Sequence, residues 1–300
     1  MMTDKINILI IGLGNIGQQT TKELCAMRLR NKISLNKIYI LNKDKYKLNA
    51  IREDILSSTL LIAKREKIDV ENYLAVEEML QCADLSENLS LSIVILSFGV
   101  KISEHIDYDK VLHTSQRHTL FLEHKKILDS LTDQLMFNLQ PSPLLINIVN
   151  PIEEICKYLV VDYGYNNNKV IGCSAELDST RGYKYLLRNC KNTYNIESFC
   201  YLGKHNETGK YILANDGSSS HNIIEHSDWS TMAQKEGGNI LYHNKKPPIF
   251  GPSESILNLV TALLTKNSET LMSCSVWDQS INDFSSYPII INNLSFRHTL

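Results

Sequence analysis

This sequence of 300 residues has no block of lysine and arginine. Its 31 basic residues are set against 33 acidic ones, for a net charge of -2, so nothing favours nucleic acid or an acidic membrane surface as a partner. No apolar run approaches the ~18 residues needed to cross a bilayer. The first such run, Ile6 to Leu13, ends in glycines rather than at a small-residue cleavage site, so no secretory signal is expected. No two of the seven cysteines (Cys25, Cys82, Cys156, Cys173, Cys190, Cys200 and Cys274) sit at CxxC spacing. A scattered, odd-numbered set reads as reduced thiols in a cytoplasmic protein, not as a disulfide framework or a thiolate metal site. Internal repeats, low-complexity linkers and long polar tails are also missing, which leaves an ordered globular chain.

What is present fits that class. Hydrophobic residues make up 43% and charged residues 21%, enough to build a large core. Strands are expected at Lys5–Ile11, residues 37–42, 92–97 and 144–151, the last stopped by Pro151. Helical spacing follows the first strand, recurs to about Glu66, and again runs from Arg117 to about Leu135. Strands alternating with helices predict an α/β fold, a doubly wound parallel sheet with helices on both faces. The second half is richer in short strands, such as Ser198–Leu202. Its strongest helix carries Ile256, Leu259, Val260, Leu263 and Leu264 on one face. Residues 1–150 are therefore read as one domain and 151–300 as a second, α+β domain.

"GLGNIG" places Gly12, Gly14 and Gly17 at GxGxxG spacing around Asn15 and Ile16, between a strand and a helix. In that context the glycines permit a tight turn, close approach of a pyrophosphate and close packing of helix on strand, with the helix N-terminus favouring the phosphates. The second strand of such a fold usually ends in an acid that holds the ribose hydroxyls. Here it ends in Asn42 and Lys43, with Asp44 in the following turn. An amide still bonds a ribose hydroxyl but does not repel a 2′-phosphate. NAD is the expected cofactor, and NADP is left open.

Asp178 and Arg181 lie three residues apart in "LDSTR", on one helix face. With "GKHNE" (203–207), "IVNP" (148–151), "SQRHTL" (115–120) and the glycine turn, all in this order, the chain resembles the L-lactate/malate dehydrogenase family. "IGLGNIG" and "SYPIII" (286–291) look most like its L-2-hydroxyisocaproate branch. The resemblance implies a Rossmann dinucleotide-binding domain and hydride exchange between a nicotinamide and a small-molecule 2-keto or L-2-hydroxy acid. His205 would donate the proton to the keto oxygen, and Asp178 would hold its other ring nitrogen. Arg181 would clamp the substrate carboxylate. Arg117, at the foot of a mobile loop of about residues 100–117, would polarise the carbonyl. Asn150 would bond substrate or cofactor, with Ser97 and Gly99 on the cofactor side. His113, His118 and His124 read as surface residues and Glu176 as a solvated or capping carboxylate. No metal is needed.

Ile102 falls where malate enzymes carry a second arginine, so a monocarboxylic substrate is expected, although Lys101 leaves malate as an alternative. Departures from the family pattern are Asn206 in the histidine segment, Pro248 where a small hydroxylated residue is usual, Asn42, and "SFRHTL" where a C-terminal helix would stand. They keep open a divergent homologue that binds a dinucleotide with little or no turnover. By analogy with the family, the chain forms a homodimer or homotetramer.

Overall fold

The computed structural model describes residues 5–84, 86–87, 89–100, 114–138, 142–189, 195–204, 209–214, 222–224, 228–244, 246–266 and 268–299. β1 (Asn7–Ile11) is buried at every position. Its unbroken apolar run is what a strand covered on both faces requires. The chain then turns through the glycines into α1 (Asn15–Leu29), β2 (Lys37–Leu41), α2 (Lys45–Glu66), α3 (Val70–Met79), β3 (Leu80–Cys82) and β4 (Ile93–Leu96). There follow α4 (Thr114–Asn138), β5 (Leu144–Asn147), α5 (Ile152–Val161), β6 (Val170–Gly172) and α6 (Ala175–Asn189). The remainder is β7 (Phe199–Leu202), β8 (Lys210–Leu213), β9 (Asn222–Ile224), α7 (Asp228–Asn244), α8 (Phe250–Leu264), β10 (Thr270–Asp278), β11 (Asp283–Asn292) and β12 (Ser295–His298).

The larger sheet has nine strands among the described residues, in the order β12-β11-β10-β6-β5-β4-β1-β2-β3. β3, β2, β1, β4, β5 and β6 pair in parallel. The connection order reverses between β1 and β4, the point at which open α/β sheets form a crevice beyond their carboxyl ends. This is the doubly wound Rossmann arrangement. β6 pairs with β5 on one side and β10 on the other, so the sheet continues past Pro151 as an antiparallel extension through β11 and β12. β7, β8 and β9 form a separate antiparallel sheet.

α4 starts at Thr114, three residues before the expected start at Arg117, so the arginine stands in the first turn of the helix. Asp44 stands in the turn between β2 and α2, as expected. It caps α2, its carboxylate accepting from the Lys47 N–H at 3.1 Å, which satisfies one of the helix's orphan donors. On α8, Ile256, Leu259, Val260 and Leu263 are buried as the spacing predicts.

Candidate active site

The candidate residues lie on segments that leave the carboxyl ends of neighbouring parallel strands: Asn42 after β2, the glycine turn after β1, Ser97 and Gly99 after β4, Asn150 after β5, and Asp178 and Arg181 on the helix that follows β6. Topology alone thus gathers residues up to 169 positions apart in sequence, from Gly12 to Arg181, along one edge of the sheet.

At the glycine turn each residue type has a reason. Gly12 has φ +92°, and a Cβ there would stand 2.3 Å from the Phe98 Cα. A Cβ on Gly17 would stand 2.1 Å from the Gly12 carbonyl oxygen. Gly14 is exposed, and a Cβ on it would meet nothing within 4 Å. Gly14 is also the N-cap of α1, with no side chain capping the helix. An open approach to uncapped N–H groups at the positive end of a helix dipole suits a pyrophosphate. Asn15 is exposed beside it, whereas Ile16 is half-buried against the core. Ser97 holds the turn itself. It is buried, and its hydroxyl donates to the Gly12 carbonyl at 2.8 Å, locking the end of β4 to the turn. Gly99 is exposed. Asn42 is half-buried and Lys43 exposed, at the tip of β2.

The end of β5 is held from within. Asn147, buried, accepts from the Val149 N–H at 3.0 Å and donates to the carbonyls of Val149 and Ile152, both at 3.2 Å. This leaves Asn150, in a cis peptide with Pro151, exposed at the crevice. The sign of this lock in the sequence is an asparagine inside an otherwise apolar strand. His124 corrects the surface reading outright: it is buried, between Val100 and the Asn150 carbonyl. Arg117 is half-buried on the same helix.

Asp178 and Arg181 are both buried on α6, 3.5 Å apart from Oδ1 to Nη1. Arg181 Nε is 3.9 Å from Glu236 of α7, which is paired with Lys184 at 2.5 Å. A Cβ on Gly237 would stand 3.2 Å from Arg181 Nη1, so a larger residue there would crowd the guanidinium. Burial and then the Asp178 carboxylate push the Tyr211 phenol well up, so it stays neutral beside this pair. Glu176 is neither solvated nor a cap of its own helix. It accepts from the Ser273 N–H of β10 at 3.1 Å, and burial raises its pKa against that bond. Burial also pushes the Cys173 and Cys200 thiols up to about 12, which removes them as nucleophiles.

His205 and Ile102 lie outside the described residues, as do His113 and Asn206. The chain leading up to His205 is well anchored. β7 docks on α6 through the Tyr201 N–H, which donates to Ser179 Oγ at 2.8 Å. Gly203 then pairs with Ser286 of β11 in both directions, at 2.9 and 3.0 Å. Lys204 is bridged to Asp283 at 2.7 Å, and its carbonyl accepts from the Tyr201 hydroxyl. The histidine segment therefore leaves a strand fixed on the helix of Asp178 and Arg181. Among the described residues no group of three or more His, Cys, Asp and Glu could hold a metal ion, and no helix is long and apolar enough to cross a membrane.

No family model matches the chain. Over 243 residues, 74% of this chain and 73% of the relative, it is 22% identical to a malate dehydrogenase of Methanosphaera stadtmanae. Its fold is similar to that of a malate dehydrogenase from Cryptosporidium parvum, with a TM-score of 0.73 at 19% identity, covering 98% of this chain and 90% of the other. It is equally similar to a C. parvum lactate dehydrogenase complexed with lactic acid and nicotinamide adenine dinucleotide, with a TM-score of 0.74 at 16% identity, covering 99% and 90%.

Proposed function

We propose, from a fold and a sequence relative that both support the lactate/malate dehydrogenase family, that this chain is a nicotinamide-dependent 2-hydroxy acid dehydrogenase. It interconverts a 2-keto acid and its L-2-hydroxy acid. The observation that carries the reading is that the glycine turn, Asn150 and the Asp178–Arg181 pair all follow the carboxyl ends of parallel strands of one sheet, the glycine turn at its switch point. The residues fit a dinucleotide: Gly14 leaves room where the pyrophosphate would meet the N-terminus of α1, and Asn42 stands where the ribose would be held. When bound, the nicotinamide supplies or accepts the hydride.

The chain's own residues do the rest. Arg181 holds the substrate carboxylate by two parallel hydrogen bonds, a task its planar fork suits and a lysine does not. His205 gives its proton to the keto oxygen in reduction and takes it back in oxidation. A near-neutral pKa suits both directions. Asp178 fixes the tautomer of that ring, and Arg117 polarises the carbonyl. Residues 1–150 form the dinucleotide-binding domain and residues 151–300 the substrate domain, and an isoleucine at position 102 suits a substrate with an apolar side chain.

NAD is the favoured cofactor. The tip of β2 carries Asn42 and Lys43 in place of the usual acid, and an amide does not repel the 2′-phosphate of NADP, so NADP stays open. The malate reading is favoured by the curated relative. The same reading has the protein act in the cytoplasm as a homodimer or homotetramer.

The test is His205→Ala together with NADH and NADPH titrations followed by fluorescence. Turnover should fall by roughly 10²- to 10⁴-fold, the usual contribution of a general acid, while the cofactor dissociation constants stay within about twofold. Normal turnover in the variant would refute the assignment.

A further inference from the structure

His124 is a buried imidazole that the proposed chemistry does not use. It sits in the middle of α4 and is 4% exposed. The Val100 N–H donates to its Nε2 at 3.2 Å, and its Nδ1 lies 2.6 Å from the Asn150 carbonyl oxygen. A backbone N–H only donates and a carbonyl only accepts. Both contacts are therefore satisfied by one species, the neutral ring with its proton on Nδ1.

The position of this ring matters. The β4–β5 ladder ends at Leu96 and Asn147, with one further bond from the Ile148 N–H to the Leu96 carbonyl. Further along both chains, Val100 and Asn150 are joined through the imidazole of a third element. Arg117 precedes His124 by seven residues, close to two helical turns, so both lie on one face of α4. The same ring thus ties together the end of β4, the end of β5 that carries Asn150, and the helix whose first turn carries Arg117.

We propose that His124 is a positioning residue, a neutral crosslink that sets Asn150 and Arg117 in place across the crevice. The proposal rests on the dehydrogenase reading for its kinetic consequence but not for its geometry. Burial lowers the pKa of the ring, against the Asn150 carbonyl and Glu123, which raise it. The groups around it are the Phe98 ring, centroid to centroid at 5.9 Å, the Val100 N–H, the Asn150 carbonyl, and Glu123 on its own helix, which is paired with Lys126 at 2.6 Å. Of these only Glu123 is charged. Protonation of Nε2 would remove the acceptor for Val100. In the reducing direction the two histidines then have opposite needs: His205 must be protonated and His124 must be neutral.

Three variants separate the two bonds. His124→Gln keeps an acceptor near the place of Nε2, His124→Asn keeps a donor near the place of Nδ1, and His124→Leu keeps neither. The geometry is read without activity. Nitrogen NMR of wild-type protein at pH 7.5 should show a protonated Nδ1 and a bare Nε2, and hydrogen exchange at Val100 should accelerate in the Asn and Leu variants but not in the Gln variant.

The kinetics are read as keto acid reduction. kcat should drop tenfold or more in His124→Leu with NADH affinity within about twofold, since misplacing a group by ~1 Å costs up to roughly 100-fold. The acid limb of the wild-type pH profile should vanish in His124→Gln, while the alkaline limb from His205 remains. A proton on Nε2, or unchanged exchange at Val100 in His124→Leu, overturns the crosslink. An unchanged kcat and pH profile in an active enzyme overturns its positioning role. Wild-type protein that reduces no keto acid would refute the dehydrogenase reading instead, with the NMR and exchange results still deciding the crosslink.

Discussion

At the scale of single residues, the Asp178–Arg181 pair shows both what spacing reveals and what it hides. Three positions apart on a helix, the two were legible as a pair in the sequence. Their burial was not, because it comes from β7, β10 and α7, which pack over α6 from elsewhere in the chain. The 3.5 Å separation is long for a hydrogen bond, so the guanidinium keeps donors for a ligand carboxylate. Arg181→Lys should raise the KM for the keto acid at least tenfold, since a hydrogen bond to a charged group contributes about 1.5–3 kcal/mol. Steady-state kinetics would show this, and an unchanged KM would place the clamp elsewhere. His124 was misread as a surface residue because its partners are 24 and 26 positions away and no local pattern marks them. Its folded pKa lies below the ordinary value of about 6.5. The unfolded chain therefore binds the proton more tightly, and the ring's contribution to stability is full above pH ~6.5 and lost as the pH falls through the folded pKa. Urea unfolding between pH 7.5 and 5 should lose stability in the wild type and less in His124→Gln; equal slopes would remove the ring as the cause.

At the scale of elements, β1, β2, β4 and β5 were readable because each is a short apolar run closed by glycine, asparagine or proline. β10 was not, although Met272, Cys274 and Val276 alternate with Ser273 and Ser275: both serines are buried as well, so the alternation marks no solvent face. The glycine turn makes a sharper prediction than the motif alone. Gly17→Ala forces a Cβ against the Gly12 carbonyl and should cost about 1–3 kcal/mol of stability, as overpacking does, together with cofactor affinity. Gly14→Ala meets open space. It should leave stability within about 0.5 kcal/mol yet weaken NADH binding, because the added methyl stands where the pyrophosphate would lie. Urea unfolding with NADH titration would distinguish the two. Loss of stability in both variants would mean that the turn is only structural.

At the scale of the whole molecule, the sheet does what no motif can. It brings the ends of β1, β2, β4, β5 and β6 to one edge and continues through β10–β12 to support β7. The alternation of strands and helices made the parallel sheet legible, but its continuation through the last hairpin depends on long-range pairing that the sequence does not display. The Lys204–Asp283 bridge joins the exit of β7 to that hairpin. Burial works to raise the Asp283 pKa, but hydrogen bonds from Lys204 and from the Phe284 N–H hold it below the usual carboxylate value. Its contribution is present above pH ~4, the unfolded value, and is lost as the pH falls through the lower folded one. Thermal unfolding from pH 5 to 3 should therefore fall less steeply in Lys204→Met than in the wild type, and parallel curves would exclude the bridge. The central claim is hydride transfer to a 2-keto acid. Its most direct test is to mix purified protein with NADH or NADPH and pyruvate, oxaloacetate, 2-ketoisocaproate or phenylpyruvate, and to follow the absorbance of the reduced cofactor. Oxidation with at least one acid, lost in His205→Ala, is expected. Cofactor bound but unoxidised with all four would contradict the claim and leave a dinucleotide-binding homologue without this activity.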